Sequence, residues 1–586
     1  MKTKLIISIT IIAVLSITQV SISQKLVILH TNDMHSMLTG FGPELSYTPM
    51  SVNDDPTIGG FARLATLLKE EKAKLPNSTL IVDAGDFLMG TIFHASEQEV
   101  GFQIPLMKKM GYDAITIGNH EFDYGPEALV KILNSSIKNG AIPEIVASNL
   151  VFSETSKADD GLEKLIIEKI IKEYTIIEKN DLKLGIIGIV GEDADDVAPN
   201  AKPVTFAKQI KTVKKLTDKL KNEEKVDLVI CISHSGFYPD EKKGGYEGED
   251  IKLAEKVKNL DVIISGHTHV KTEKAIKINN TIIVQTGAYA KNLGRLVLNV
   301  ENKKVKSFEF SLIPVDDKIL GDAEVNKLIN DYKEVVSKQY FSPLGLSYVQ
   351  PIAETSFTLK RNSLIDKKVG TVGPFVADAI KFYVDKYSDD VDLAIVASGM
   401  IRENILKGEI TAPDIFRVSP LGIGFDDIPG YPLSKIYITG NEVKKLMEVV
   451  VMAQKPGDDS FINYSGVKID VDKSKMMLHK VRKVYMNGEE LDISKSNKNL
   501  YSVAASSYLL QFIGRIKKIS HGLIKVVPKD KNGEVITDMN KQIIDFDTDK
   551  NGIQEGKTWV ALIEYLKSFE DTNGNNLPEI PEKYRQ

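Results

Sequence analysis

Five short polar strings, each placed where a hydrophobic run stops, constrain this chain more than anything else in it. They are Asp33-Met34-His35, Gly85-Asp86, Gly118-Asn119-His120-Glu121-Phe122-Asp123, Ser233-His234-Ser235-Gly236 and Gly266-His267-Thr268-His269, and they hold five of the nine histidines. The runs before them (LVILHT, TLIVDAGD, DAITIGNH, VDLVICISH and LDVIISGH) are apolar and β-branched, and they alternate with amphipathic stretches such as FARLATLLKEEKAKL and IKTVKKLTDKLKNEEK. Strands followed by helices predict an α/β fold. Near-continuous apolar strands such as Leu228 to Ile232 belong to sheets covered on both faces. Polar residues at strand ends sit where α/β sheets carry their sites.

Carboxylate, imidazole and amide oxygen together suit divalent cations such as zinc, manganese or similar first-row metals. Asp33, His35, Asp86, Asn119, His234, His267 and His269 are more candidate ligands than one ion requires, whereas two ions sharing a carboxylate would use them all. A pair about 3.5–4 Å apart activates water and neutralises both the attacking and the leaving oxygen of a phosphoryl transfer. Each residue also has a plainer reading. His35 or His234 alone is more often a hydrogen-bonded structural histidine, and Asp86 after Gly85 fits a turn. Five complementary motifs at successive strand ends are hard to obtain by chance, and the joint reading is a dinuclear phosphoesterase centre. His30, His94, His479 and His521 lack such company and read as structural or surface residues.

A length of 586 residues exceeds a single core. Residues 1–23 read as a secretory signal: Lys2 and Lys4 precede an apolar run from Leu5 to Val20, too short and too polar for a comfortable span, and Ser21 and Ser23 bracket a cleavage site. Residues 24–312 are the predicted metal domain, 313–350 a linker helix, 351–546 a second α/β or α+β unit and 547–586 a tail around one helix, Thr558 to Phe569. The lone Cys231 excludes an intramolecular disulfide and a cysteine lipid anchor next to the signal. A formal net charge of −5 with no long basic block argues against nucleic acid as a partner, and no later segment predicts stable membrane insertion. The expected compartment is the periplasm or the exterior, and the oligomeric state is open.

The ordered motifs D-x-H, G-D, G-N-H-E, H and G-H-x-H resemble those of calcineurin-like metallophosphoesterases. The strings ILHTNDMHSML, IGGFARLATLLKE, VDAGDFLMGT and ITIGNHEFDYGPE are similar to the bacterial exported 5′-nucleotidase and UDP-sugar hydrolase family. The resemblance implies a four-layer α/β/β/α sandwich followed by a hinged C-terminal substrate domain. It implies that Asp33, His35 and His269 hold one of two divalent ions, that Asn119, His234 and His267 hold the other, and that Asp86 bridges them. His120 would then stabilise the phosphoryl group without holding a metal, oriented by Asp123, and metal-activated water would release phosphate from a nucleotide or another small phosphoester. From the residues alone, a carboxylate three positions after a histidine is placed to orient it.

The resemblance thins after Pro351. In Ala397-Ser398-Gly399-Met400-Ile401-Arg402 the substrate-binding arginine is present as Arg402, but the family's asparagine is not. Thr371 stands where a second arginine is expected, Leu421 where one base-stacking aromatic is expected, and Gly514 where an acid is expected. Tyr508 is the candidate for the other stacking aromatic, so the base site is expected to be permissive. Asp547, Asp549 and Asn551, then Asp571, Asn573, Asn575 and Glu582, resemble fragments of calcium loops, but Pro578 and Pro581 favour a solvated turn. The rival functions are a thiosulfate-ester hydrolase or cyclic-nucleotide phosphodiesterase on the same scaffold, and a non-catalytic exported nucleotide-binding protein.

Overall fold

The computed structural model describes residues 23–585 except 193, 195–197, 241, 243, 363–368, 454–460, 512 and 514–524. The proposed signal segment, Gly514 and His521 therefore lie outside the described residues, apart from Ser23.

Two sheets form the N-terminal unit. The first runs, from edge to edge, Lys304–Pro314, Asn292–Glu301, Gln24–Thr31, Thr79–Asp83, Ala114–Thr116, Glu144–Val146 and Ile171–Lys172. The second runs Ile276–Ile278, Thr281–Val284, Val262–Ser265, Leu228–His234, Leu182–Val190 and Tyr174–Lys179. Strand alternation divides the apolar residues between two layers of core. Leu26, Ile28, Leu80 and Val82 of the first sheet meet Leu184, Ile186, Ile230 and Ile264 of the second. Val27, Leu29 and Ile81 face the other way, onto helices Phe61–Lys74, Gln103–Met110 and Gly125–Asn139. Ile187, Val229 and Ile263 of the second sheet pack against Gln209–Asn222 and Glu249–Lys256. The result is the four-layer α/β/β/α sandwich, and the strands are continuously apolar because both faces are covered.

In the first sheet, Gln24–Thr31, Thr79–Asp83, Ala114–Thr116 and Glu144–Val146 are mutually parallel, as are Leu182–Val190, Leu228–His234 and Val262–Ser265 in the second. Their C-terminal ends share one rim, and the polar motifs begin there. The strands bearing motifs are not consecutive, since Glu144–Val146 and Leu182–Val190 intervene without contributing a candidate ligand.

The connecting segment is a strut rather than a loose linker. Helix Ala323–Val336 lies on the N-terminal unit, where the Tyr332 hydroxyl donates to Phe93 O at 2.9 Å. Phe341 then packs edge-on against Trp559 of the C-terminal unit at 6.4 Å. One apolar cluster thus runs unbroken from Leu29 through Tyr332 and Phe341 to Phe375 and Trp559. The C-terminal unit centres on a sheet ordered Leu433–Thr439, Leu500–Ser506, Leu393–Ala397 and Ile462–Ser465. Helix Val372–Tyr387 packs on one face and Gly440–Ala453 on the other.

The last segment is built into this unit rather than trailing from it. Trp559 and Leu562 of helix Thr558–Lys567 are buried, and Leu433 N donates to Gly556 O. The Asp571–Asn576 turn is fixed by backbone donors to Asp571, and the Asn573 and Asn575 amides donate to Glu354 Oε1 at 2.5 and 2.9 Å.

Arg63 is a buried tie at the edge of the metal domain. Its guanidinium meets Asp55 at 2.5 Å and Asp317 at 3.0 Å, and it also donates to Thr57 O. Removing one partner of such a group leaves the others uncompensated. Arg63→Ala is expected to destabilise the N-terminal unit by about 3–5 kcal/mol. Denaturant unfolding checks this, and an unchanged midpoint would show that solvent reaches the two carboxylates freely.

Candidate metal centre and interdomain cleft

Backbone geometry brings the strand-end motifs together before any side chain is considered. After strand Gln24–Thr31, Asp33 N donates to Gly85 O and His35 N to Asp86 O, each at 2.9 Å, so the first two motifs lie side by side. Gly118 allows the third to approach: a Cβ there would fall 2.2 Å from Asp86 Oδ1. Buried Glu121 joins the second and third motifs, accepting from Asp86 N at 3.0 Å, Leu88 N at 2.9 Å and Gly118 N at 2.5 Å. Asp250, at the start of helix Glu249–Lys256, accepts from Ser233 Oγ at 2.6 Å and Ser265 Oγ at 2.5 Å, tying together the strand ends that carry the fourth and fifth.

Five of the candidate ligands adopt left-handed backbone conformations: Asp33 (φ 51°), His35 (51°), Asp86 (53°), His267 (74°) and His269 (55°). Non-glycine residues rarely sit there, and such strain gathers at functional sites.

The side chains form two adjoining groups. In one, the ligating atoms of Asp33, His35 and His269 lie within 4.8 Å of one another, with the Nε2 atoms of His35 and His269 2.9 Å apart. In the other, those of Asp86, His234 and His267 do the same. His234 Nε2 stands 2.9 Å from Asp86 Oδ2 and 3.2 Å from Asn119 Oδ1, and His267 Nδ1 is 2.8 Å from Asn119 Oδ1. The partners behind fix orientation: His234 Nδ1 donates to Ala84 O at 2.7 Å, Asn32 Nδ2 donates to Asp33 Oδ2 at 2.6 Å, and His267 N donates to the Asp33 carboxylate. His120 stands apart from both groups. Its Nδ1 is 3.0 Å from Asp123 Oδ2, its backbone N donates to Asp86 Oδ1, and its ring meets His35 edge-on at 5.4 Å.

Charge completes the fit to cations. Burial opposes ionisation of Asp86, yet His234 and His120 hold its carboxyl well below the usual carboxylate range. Asp33 is held low against the same burial penalty by His269 and His234. Burial, reinforced by His269, keeps the His35 imidazole deprotonated, and burial with His234 lowers His267 to about 4. Ionised carboxylates and neutral imidazoles are the ligating forms. His234 is the exception: despite burial, Asp86 raises it to about 10, so a cation bound there displaces a proton.

Both domains border the cleft beside His35. Tyr289, Met89 and Gly90 form one wall and Arg402, Glu403 and Arg417 the other. Arg417 donates to Gly42 O at 2.7 Å and Glu44 N donates to Asp414 Oδ1 at 3.0 Å, which brings the walls together. Arg361 Nη1 donates to Arg402 O at 2.7 Å, and Thr371, which stands where a second arginine is expected, caps helix Val372–Tyr387. One face of the Tyr508 ring is stacked on Tyr431, with centroids 4.9 Å apart. Leu421 O accepts from Tyr431 N beneath this pair. His94 is buried against Tyr124 with ring centroids 4.3 Å apart, His30 is buried under Phe310, and His479 is exposed.

Residues 26–271 match the calcineurin-like phosphoesterase family and residues 351–516 the 5′-nucleotidase C-terminal domain. The chain belongs to the phosphoesterases that join these two domains. It is 26% identical to the trifunctional nucleotide phosphoesterase YfkN of Bacillus subtilis over 83% of its own length, a match spanning 32% of that longer protein. It is also 26% identical to the 5′-nucleotidase of Vibrio vulnificus, over 80% of this chain and 83% of that one. The solved 5′-nucleotidase precursor of Thermus thermophilus shares the fold, with a TM-score of 0.67, 20% identity, and coverage of 95% of this chain and 100% of that one. The family is one of metal-dependent phosphoric monoester hydrolases with a dinuclear centre, and the two Asp/His groups here match that centre.

Zinc- or manganese-saturated protein is expected to retain two ions per chain by elemental analysis, and Asp86→Ala fewer than two, because the group of Asp86, His234 and His267 loses its carboxylate. Two ions retained in the variant would remove Asp86 from the centre.

Proposed function

We propose that the protein is an exported 5′-nucleotidase that releases phosphate from nucleotides and related small phosphoesters. The observation that carries this reading is the junction of the two ligand groups with a cleft whose opposite wall holds Arg402. A phosphoester in that cleft has its phosphoryl end at the ligands and its organic end against the C-terminal unit. The names of the two relatives, a nucleotide phosphoesterase and a 5′-nucleotidase, support a nucleotide substrate. The basic, apolar N-terminal run before Gln24 supports export to the periplasm or beyond, and among the described residues no helix is long and apolar enough to cross a membrane.

In this reading Asp33, His35 and His269 hold one divalent ion, Asn119, His234 and His267 the other, and Asp86 both. The ions supply Lewis acidity to the phosphoryl oxygens and lower the pKa of water. Asp123 accepts from Nδ1 of His120 and fixes its ring, so that Nε2 is left to donate to a phosphoryl oxygen as charge develops there. Arg402 binds the substrate from the opposite wall. A binding protein needing metal only for structure has no use for the His120–Asp123 pair, which favours catalysis over the non-catalytic reading.

His120→Asn is expected to keep both ions and to lower kcat by about 10²–10⁴. Unchanged turnover, or loss of metal, would overturn its role. A screen of the metal-loaded protein across nucleoside mono-, di- and triphosphates, UDP-glucose, cyclic nucleotides and a thiosulfate ester, read by chromatography of the products, is expected to show 5′-monophosphates turned over to nucleoside and phosphate. Turnover confined to cyclic nucleotides or thiosulfate esters would replace the present reading with one of its rivals.

A further inference from the structure

Among the described residues, the most exposed large apolar side chain is Met476, at 80%, and its neighbour Met477 is 62% exposed. They stand at the tip of a hairpin in the C-terminal unit, where strand Val467–Val471 pairs antiparallel with Val481–Met486. The root of this hairpin is fixed. Val481, Val484 and Met486 pack into the core with helix Gly440–Ala453, and buried Glu448 of that helix accepts from Lys480 N at 3.1 Å and Val481 N at 2.8 Å. The tip is closed as well: Asp472 N donates to Lys480 O at 2.8 Å and His479 N to Met476 O at 3.0 Å. Leu478 turns back onto the core with a left-handed φ of 70°, a strain that a bulky residue rarely carries. The loop thus directs Leu478 inward and leaves both methionines in water.

The flanks of that pair are cationic. Residues 472–480 hold Lys473, Lys475, His479 and Lys480 against a single acid, Asp472, whose Oδ1 already accepts from Ser474 N at 3.0 Å and Ser474 Oγ at 2.6 Å. Exposed Arg482 follows on the second strand. The chain as a whole has a formal net charge of −5, so this tip is a local reversal of sign. Apolar residues scattered singly over a surface need no explanation, but two adjoining ones flanked by cations do. A protein partner needs about 800 Å² of each surface, more than one convex loop offers. A bilayer interface makes no such demand. It takes up apolar tips at the acyl boundary while lysine ammonium groups reach the headgroups, and it attracts cations when those headgroups are anionic. Methionine, unbranched and adaptable, suits a fluid surface.

We propose that the 472–480 loop is a docking tip for anionic phospholipid surfaces, with Met476 and Met477 entering the interface while Lys473, Lys475 and Lys480 meet the lipid phosphates. The attachment is reversible and spans nothing, in keeping with the lack of a long apolar helix among the described residues. It is independent of which phosphoester the metal centre takes, since no residue of the loop belongs to the two ligand groups or to the cleft.

The test is co-sedimentation of the metal-loaded protein with vesicles of phosphatidylcholine, alone or mixed equally with phosphatidylglycerol. Wild type is expected to bind the mixed vesicles about tenfold or more tightly than the neutral ones. It should lose most of that binding between about 0.1 and 1 M salt, as the screening length falls from about 10 to 3 Å. Met476→Ser with Met477→Ser, and separately Lys473→Glu with Lys475→Glu, should each weaken binding by about tenfold or more, with the unfolding midpoint and the turnover of a soluble substrate unchanged. A polarity-sensitive dye on Met477→Cys gives a second readout, because the only native cysteine, Cys231, is buried. Its emission should shift to the blue with mixed vesicles and stay in place with neutral ones. No binding to mixed vesicles, equal binding to both kinds, or binding that both double variants retain overturns the proposal. So does lipid-free self-association of the wild type that Met476→Ser with Met477→Ser abolishes, since the tip would then be a contact between copies of the chain.

Discussion

The centre depends on one buried carboxylate being kept ionised. Asp86 lies between the sheets' rims, where burial alone would protonate it, and an isolated charge in such a place is among the most expensive features a fold can contain. The surroundings are arranged to offset that penalty. His234 faces one oxygen, the backbone of His120 donates to the other, and Glu121 holds the Asp86 amide so that the carboxylate is correctly aimed. Glycine at 118 leaves room for all three. With that charge in place, the neighbouring imidazoles fall into ligating positions, and the His120–Asp123 pair is anchored through the same oxygen.

Much of this was legible in the amino-acid sequence, because the centre is assembled from short strings at the ends of apolar strands, where fold class and chemistry are written in the same few residues. The α/β pattern of Leu228–His234 and the H-x-x-D spacing of His120 and Asp123 both have local physical meaning. Residues that act by holding others were harder to see. Glu121 lies inside a quoted motif and Asn32 beside one, so position could have marked them, but Asp250 sits 16 residues after His234 on a helix with nothing around it to signal that it ties two strand ends.

The cleft was legible only in part, for a different physical reason. Its wall is made where two units meet, so Tyr289, Arg361, Glu403 and Arg417 become neighbours through tertiary packing rather than spacing. Arg402 was recognisable because it ends a motif-like string. Tyr508 was recognisable as an aromatic, but its stacking on Tyr431 depends on a chain turn that only the folded C-terminal unit defines. The final helix was legible from its apolar pattern, but the packing of Trp559 and Leu562 into the core was not, because the Asp, Asn and Pro residues around it carry no sign of a buried partner.

The left-handed ligands have a consequence for how this protein holds on to its metals. The left-handed backbone at Asp33, His35, Asp86, His267 and His269 costs roughly 1–3 kcal/mol per residue, and the binding energy of the ions helps to offset it. By mass action that energy then appears as resistance to unfolding, growing by about 1.4 kcal/mol for each tenfold rise of free ion above the dissociation constant. The metal-free chain holds the same strain with less to oppose it, so a chelator does more than silence the protein: it weakens the junction of the two sheets, and metal supply becomes a determinant of how long the folded chain survives.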